Sequence, residues 1–137
     1  MTELHSPASY FDMAQCVGSC RQIDWKLIKH QLAIGSSFSL KQNDAVIACA
    51  GIVPVSLDLA EVWFMPGPKA ASGLVAVARA TRLTLSRSPY AEHYALVRSS
   101  AGARLARLIG FERAGKRDGM EVWICRGCSE AAATRKP

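Results

Sequence analysis

The sequence predicts an α/β (α+β) domain in which a mixed central sheet of about six strands carries helices on both faces. Its 137 residues suit one domain and are enough to bury a core. Half of the residues are hydrophobic and 20% are charged, as in a folded globular chain. Helical and extended patterns alternate, and the strands predicted at residues 45–53 and 58–65 are apolar on both faces. Strands of that kind are covered on both sides.

The first 35 residues predict two helices. Ser6-Pro7 has the pattern of a helix start, because a hydroxyl can cap the first amides and proline fits the first helical position. That helix runs to about residue 17. A second helix over residues 23–35 carries Trp25 and Ile28 at helical spacing.

Two pairs of turn residues predict two hairpins. Asn43-Asp44 and Asp118-Gly119 tolerate the positive φ angles of a two-residue loop. The strands that they join are residues 37–42, 45–53, 111–116 and 120–125.

Between the hairpins, strands and helices alternate. The helix predicted at residues 70–86 has an apolar stripe with Leu83 on the opposite side. The predicted elements are a strand at 58–65, that helix, a strand at 93–98 and a helix at 101–109. Together with the first helices they form a single domain over residues 1–127, followed by a flexible polar tail at residues 128–137.

The net charge, the longest apolar run and the N-terminal sequence limit the partners and the location that the sequence predicts. The net charge of +6 favours encounters with anions, but the basic residues are dispersed and do not predict a nucleic-acid surface. The longest apolar run, residues 45–55, is shorter than the ~18–20 residues of a membrane span. The N-terminus lacks the pattern of a signal peptide. These features predict a cytoplasmic protein without a membrane partner.

The five cysteines have two interpretations. An odd count without an export signal predicts free thiols and no disulfide framework. No metal is expected either, because the core is large enough for the domain to fold without one. The alternative is a structural zinc, because the spacings within two pairs suit thiolate ligands. Its ligands would be Cys16, Cys20, Cys125 and Cys128.

Three segments resemble the Gcn5-related N-acetyltransferase (GNAT) family. Residues 103–112, Ala-Arg-Leu-Ala-Arg-Leu-Ile-Gly-Phe-Glu, resemble the family's late helix and its Gly-Phe turn. Residues 48–53 resemble the third strand, and Glu-Val-Trp-Phe-Met at 61–65 resembles the fourth. The resemblance covers roughly residues 36–126. The variant fourth strand is similar to that of a divergent GNAT-like group among phage-encoded proteins.

The resemblance implies an acyl-CoA site after the fourth strand. Family members hold the diphosphate of acetyl-CoA on backbone amides of a loop, Arg/Gln-x-x-Gly-x-Gly/Ala, at a helix N-terminus. Here residues 66–73 replace that loop, and Pro66 and Pro68 remove two amide donors. The cofactor-binding residues implied for acetyl-CoA or another acyl-CoA are Phe64, Met65, Lys69, Ala70, Ala71, Ser72, Gly73, Ser99 and Arg104.

The implied catalytic groups are incomplete. The tyrosine that many members place four residues before the Gly-Phe glycine is Ala106 here, which has no proton to give. Glu61 matches the fourth-strand carboxylate that deprotonates the acceptor amine; alternatively it forms an ion pair with an arginine such as Arg98. His93 is a second candidate acid or base, and alternatively it caps a strand.

Two functions therefore stay open. One is an acyl-CoA-dependent N-acyltransferase that uses Glu61 and an amine acceptor. The other is a catalytically inactive GNAT-fold accessory or binding protein with a protein partner. A homodimer is common among family members, although no residue here requires one.

Overall fold

The computed structural model describes residues 2–17, 33–67 and 70–127. Of the predicted second helix it includes residues 33–35, and residues 33 and 34 are helical; the predicted tail lies outside it. In chain order the elements are β1 (Thr2–His5), α1 (Tyr10–Val17), β2 (Ser36–Gln42), β3 (Ala45–Pro54), β4 (Leu59–Pro66), a 3-10 helix (Ala70–Gly73), α2 (Leu74–Ser86), β5 (Glu92–Val97), α3 (Ser100–Ile109), β6 (Glu112–Arg117) and β7 (Met120–Cys125).

The strands form a seven-stranded mixed sheet in the order β1-β2-β3-β4-β5-β7-β6. β4 and β5 pair in parallel, whereas the β1–β2, β2–β3, β5–β7 and β6–β7 pairs are antiparallel. The mixed sheet is confirmed, with one strand more than predicted because β1 pairs with β2 at the edge. None of the helices in the described part of the chain has the length and apolarity of a membrane span.

One compact unit consists of Met1–Val53 and Trp63–Val77. Its core packs α1 against β3 and the end of β4 through a cluster of Ala8, Met13, Val46, Cys49 and Trp63. A Cβ at Gly51 would lie 2.6 Å from the Trp63 ring. Glycine at this point of β3 therefore makes room for the indole.

The second unit consists of Pro54–Val62 and Ala78–Pro137. The buried side chains of this unit come from α2 and α3, from β5 between these helices, and from the residues that follow α3. They include Ala78, Leu85, Val97, Leu105, Ile109, Phe111 and Trp123. The apolar stripe of α2 is confirmed, since Val77 and Thr81 are also buried while Leu83 is 51% exposed.

Both predicted hairpins are confirmed. Asn43 and Asp44 have φ angles of 53° and 67°, and Asp118 and Gly119 have φ angles of 52° and 78°. Left-handed residues at both loop positions match the twist of the strands that they join.

The predicted start of the first helix is wrong. α1 begins at Tyr10, and Ser9 caps it by accepting a hydrogen bond from the Asp12 amide at 3.0 Å. The Ser6 hydroxyl instead donates to the Ser37 carbonyl of β2 at 2.7 Å. Pairing of the N-terminal segment with β2 overrides the local capping signal.

The expectation of free thiols holds for two cysteines and is wrong for a third. Cys16 and Cys49 are free, with their sulfur atoms 3.8 Å apart, but Cys125 is disulfide-bonded. A disulfide sulfur is not a thiolate, so Cys125 in this state does not serve the alternative zinc set. The described residues contain no group of three or more side chains arranged to hold a metal ion.

Candidate functional site

The parallel ladder between β4 and β5 is short. It pairs Leu59 with Glu92, Ala60 with His93, and Glu61 with Tyr94. β4 continues to Pro66 and β5 to Val97, yet the described chain has no further paired positions between these two strands. The ladder therefore ends at Glu61 and Tyr94, in the middle of both strands.

Glu61 and Tyr94 are joined by a hydrogen bond at this point. The Tyr94 hydroxyl donates to Glu61 Oε1 at 2.9 Å, and both side chains are half-buried. The structure thus gives Glu61 a partner other than Arg98, whose Nε lies 2.9 Å from Met120 Sδ. The sequence alone did not predict this contact, because 33 residues separate the two side chains.

The surroundings keep the Tyr94 hydroxyl protonated. Burial raises the pKa of Tyr94, the hydrogen bond to Glu61 and the charge of that carboxylate raise it further, and Arg117 opposes them. A phenol with a raised pKa is neutral at pH 7 and remains a hydrogen donor.

His93 is enclosed on β5. Its side chain has no exposed surface, its Nε2 lies 2.7 Å from Ser88 Oγ, and its Nδ1 has no hydrogen-bond partner. Burial lowers the pKa of His93 to about 4, so the imidazole is neutral at pH 7. The ring edge also packs against Tyr90, with centroids 6.5 Å apart. A catalytic role for His93 stays a prediction, and in this conformation the ring is closed to solvent.

The segment after β4 leads into a helix start, as the resemblance implies. The Gly67 amide donates to the Ile47 carbonyl at 2.8 Å, and the Ala70 amide donates to the Gly67 carbonyl at 3.1 Å. The first turn of a helix leaves backbone amides without partners inside the helix, which makes it suitable for an anion. The Ala70 amide already donates its hydrogen bond within the turn, to the Gly67 carbonyl.

The remaining cofactor-binding candidates occupy different environments. Phe64 and Met65 are half-buried on β4, and Gly73 is buried where a Cβ would lie 2.8 Å from the Ile47 side chain. Ser72 is exposed in the 3-10 helix. Ala71 belongs to the same helix. Lys69 lies outside the described residues.

Ser99 and Arg104 belong to α3. Ser99 is the N-cap of this helix, and its hydroxyl accepts a hydrogen bond from the Gly102 amide at 3.1 Å. Arg104 is exposed. Ala106 is buried, and its carbonyl accepts hydrogen bonds from the Gly110 and Phe111 amides.

A groove in the second unit was not predicted from the sequence. It has a volume of about 890 Å³ and lies between the C-terminal ends of α2 and α3 and the end of β7. Arg79, Arg82 and Arg126 line it with one carboxylate, Glu112. None of these arginines forms a salt bridge within the described chain. The groove is therefore basic.

The architecture is that of the GNAT acetyltransferases. No protein-family model and no curated protein matches the sequence, so the likeness is one of structure. A GNAT-family acetyltransferase from Bacillus cereus superimposes with a TM-score of 0.66 and 15% identity, covering 93% of this chain and 98% of that one. These values show the shared fold.

Two further structures give the same result. Campylobacter jejuni N-acetyltransferase PseH, in complex with acetyl coenzyme A, has a TM-score of 0.63 and 12% identity over 92% of this chain and 99% of its own. The ribosomal-protein-S18-alanine N-acetyltransferase from Escherichia coli has a TM-score of 0.64 and 22% identity, covering 90% and 91%. The GNAT fold expected from the resemblance is confirmed. These structures do not support the expected similarity to the GNAT-like group among phage-encoded proteins.

Proposed function

We propose that this protein binds acetyl-CoA or another acyl-CoA and transfers the acyl group to an amine. The observation that carries the proposal is the β4–β5 ladder, which ends at a half-buried carboxylate, Glu61. The likeness to an N-acetyltransferase in complex with acetyl coenzyme A supports it.

In this proposal Glu61 is the general base. An amine attacks a thioester only as the neutral base, and a carboxylate beside it accepts the proton that the attacking nitrogen loses. The Tyr94 hydrogen bond occupies Oε1 and fixes the orientation of the carboxylate. The other carboxylate oxygen, Oε2, is then the one that accepts the proton from the amine.

The segment from β4 into α2 holds the diphosphate. Lys69 supplies a positive charge, Ala71, Ser72 and Gly73 supply amides at the helix start, and the α2 dipole favours an anion there. Phe64 and Met65 contact the pantetheine arm, and Ser99 and Arg104 of α3 contribute polar groups.

Binding is tested by thermal denaturation with acetyl-CoA. At a hundred times its Kd the ligand adds about 2.7 kcal/mol to the free energy of unfolding. Lys69→Ala should weaken the stabilisation, whereas Arg87→Ala, an exposed control, should leave it unchanged. The absence of any shift at millimolar acetyl-CoA would contradict the proposed function.

Transfer is tested by release of the CoA thiol with a panel of primary amines, including a peptide with an N-terminal alanine. Glu61→Gln should keep the stabilisation by acetyl-CoA and lose at least 100-fold in rate, roughly the contribution of a general base. Glu92→Gln is the matched control, because it makes the same change at an exposed carboxylate on β5. Equal rates in both variants would remove Glu61 from the reaction.

The basic groove favours a second candidate function, binding of an acidic segment of a protein partner without catalysis. A groove lined by three arginines and one carboxylate attracts a negatively charged chain. An oligoglutamate peptide should bind the wild-type protein and should lose most of its affinity for the Arg79→Ala/Arg82→Ala variant. Equal binding to both proteins would argue against this function.

A further inference from the structure

Cys16 and Cys49 form a pair of thiols between α1 and β3. Both are free, and a hydrogen bond joins their sulfur atoms at 3.8 Å. The two residues are 33 positions apart in the sequence, so it is the packing of the helix on the sheet that brings them together. The proposed acyl transfer uses neither sulfur.

Polar contacts hold α1 against the sheet one helical turn before Cys16. Asp12 is 3% exposed; its carboxylate accepts a hydrogen bond from the Ser39 hydroxyl at 2.7 Å and lies 3.2 Å from Lys41 Nζ. Ser39 is also the register partner of Cys49. Because a buried carboxylate gives up such partners only at a high cost, these contacts keep Cys16 beside the strand that carries Cys49.

The two thiols have different surroundings. Cys16 is half-buried in the last turn of α1, whereas Cys49 has no exposed surface. The pKa of Cys16 is lowered, because the hydrogen bond with Cys49 stabilises its thiolate by more than burial destabilises it. The same hydrogen bond and burial raise the pKa of Cys49. Cys16 is therefore the sulfur that ionises first and that a small molecule reaches, with a protonated thiol next to it.

We propose that Cys16 and Cys49 are a site of oxidation, at which hydrogen peroxide converts the two thiols into a disulfide between α1 and β3. The Cys16 thiolate attacks one peroxide oxygen; an S–O bond forms, the O–O bond breaks, and the hydroxide that leaves takes up a proton to become water. The Cys49 sulfur then attacks the sulfenic acid on Cys16. The S–S bond forms, the S–O bond breaks, and the oxygen leaves with the Cys49 proton as a second water. The two thiols lose two electrons, and the peroxide gains them.

The second step needs only a small movement of the sulfur atoms. A disulfide has an S–S distance of about 2.05 Å, so two sulfurs 3.8 Å apart must approach by about 1.8 Å. A change of rotamer about the Cα–Cβ bond moves a cysteine sulfur by more than this distance. The enclosed position of Cys49 also shields that sulfur from peroxide, so the sulfenic acid on Cys16 meets a reduced thiol.

Mass spectrometry of a tryptic digest prepared without reductant tests for the bond. After treatment of the wild-type protein with a small excess of hydrogen peroxide, the expected product links residues 1–21, which contain Cys16, to residues 42–69, which contain Cys49. Residues 1–21 also contain Cys20. Cys20→Ser is therefore the matched control and should keep the link, whereas Cys16→Ser should lose it. A link that survives Cys16→Ser, oxidation of Cys16 without a link, or a pair that stays reduced would overturn the proposal.

Thermal denaturation measures the consequence for the fold. A disulfide between residues 33 positions apart restricts the unfolded chain, so oxidation should raise the melting temperature of the wild type by about 5–10 °C. Cys20→Ser should show the same rise and Cys16→Ser none, although peroxide reaches the methionines of all three proteins alike. A rise of equal size in Cys16→Ser, or no rise in the wild type, would contradict a cross-link between α1 and β3. Acetyl-CoA enters neither experiment, so their outcomes are separate from those that test the proposed function.

Discussion

At the scale of single residues, burial determines which polar groups carry charge. His93 has no exposed surface and its Nε2 meets only the Ser88 hydroxyl, so the ring stays neutral. The charged imidazolium would lose its hydration without gaining a counter-ion. Protonation of His93 therefore lowers the free energy of unfolding.

This effect predicts a loss of stability in acid. The pKa of His93 falls from 6.5 to about 4 on folding, so the unfolded chain binds the proton first. Between pH 6.5 and pH 4 the free energy of unfolding should decrease by up to about 3 kcal/mol from this residue. Urea denaturation at a series of pH values measures it.

His93→Gln is the variant that tests the assignment, because an amide can still meet Ser88 and does not titrate. Its stability should vary less over this pH range than that of the wild type. An identical pH dependence in the two proteins would show that other groups cause the loss.

At the scale of elements, α3 depends on groups at both ends. Ser99 caps its first turn, and Gly110 ends it in a left-handed conformation at φ 110° while its amide donates to the Ala106 carbonyl. Because four amides at a helix start have no partner in the helix, the cap contributes directly to stability.

Ser99→Ala should therefore cost about 1 kcal/mol in the free energy of unfolding. Ser100→Ala is the control, since its side chain is exposed in the first turn and alanine favours a helix. Chemical denaturation of both variants measures the difference. Two equal values would mean that the Ser99 hydroxyl adds nothing to the helix.

The elements also show what a sequence can predict. Asn43-Asp44 and Asp118-Gly119 defined their hairpins correctly, because a turn depends on the conformations of its own residues. The helix start predicted from Ser6-Pro7 was wrong, because contacts with β2 determine the conformation of that segment. The resemblance to a fourth-strand carboxylate identified Glu61 as a candidate site residue, but it did not identify Tyr94 as its hydrogen-bond partner. Tyr94 meets it through strand register, which the residues of either strand alone do not encode.

At the scale of the whole molecule, the net charge of +6 acts on any anionic ligand. Acetyl-CoA carries its negative charges on phosphates, and the attraction of a cationic protein for them is screened by salt. Raising NaCl from about 50 to about 500 mM should weaken acetyl-CoA binding severalfold. S-acetylpantetheine, which has no phosphate, should show little dependence, and calorimetry compares the two. An equal response of both ligands would mean that the charge is not involved.

The two outermost strands of the sheet have a consequence for self-association. Every residue of β1 and of β6 is exposed, and within the described residues each of these strands has one edge without a neighbour in the sheet. An open edge is a template on which another chain can add a strand. β6 carries three basic residues, Arg113, Lys116 and Arg117, and one acidic residue, Glu112, so a second copy paired with it in register would bring like charges together. Repulsion between these charges should oppose the addition of a second copy at this edge.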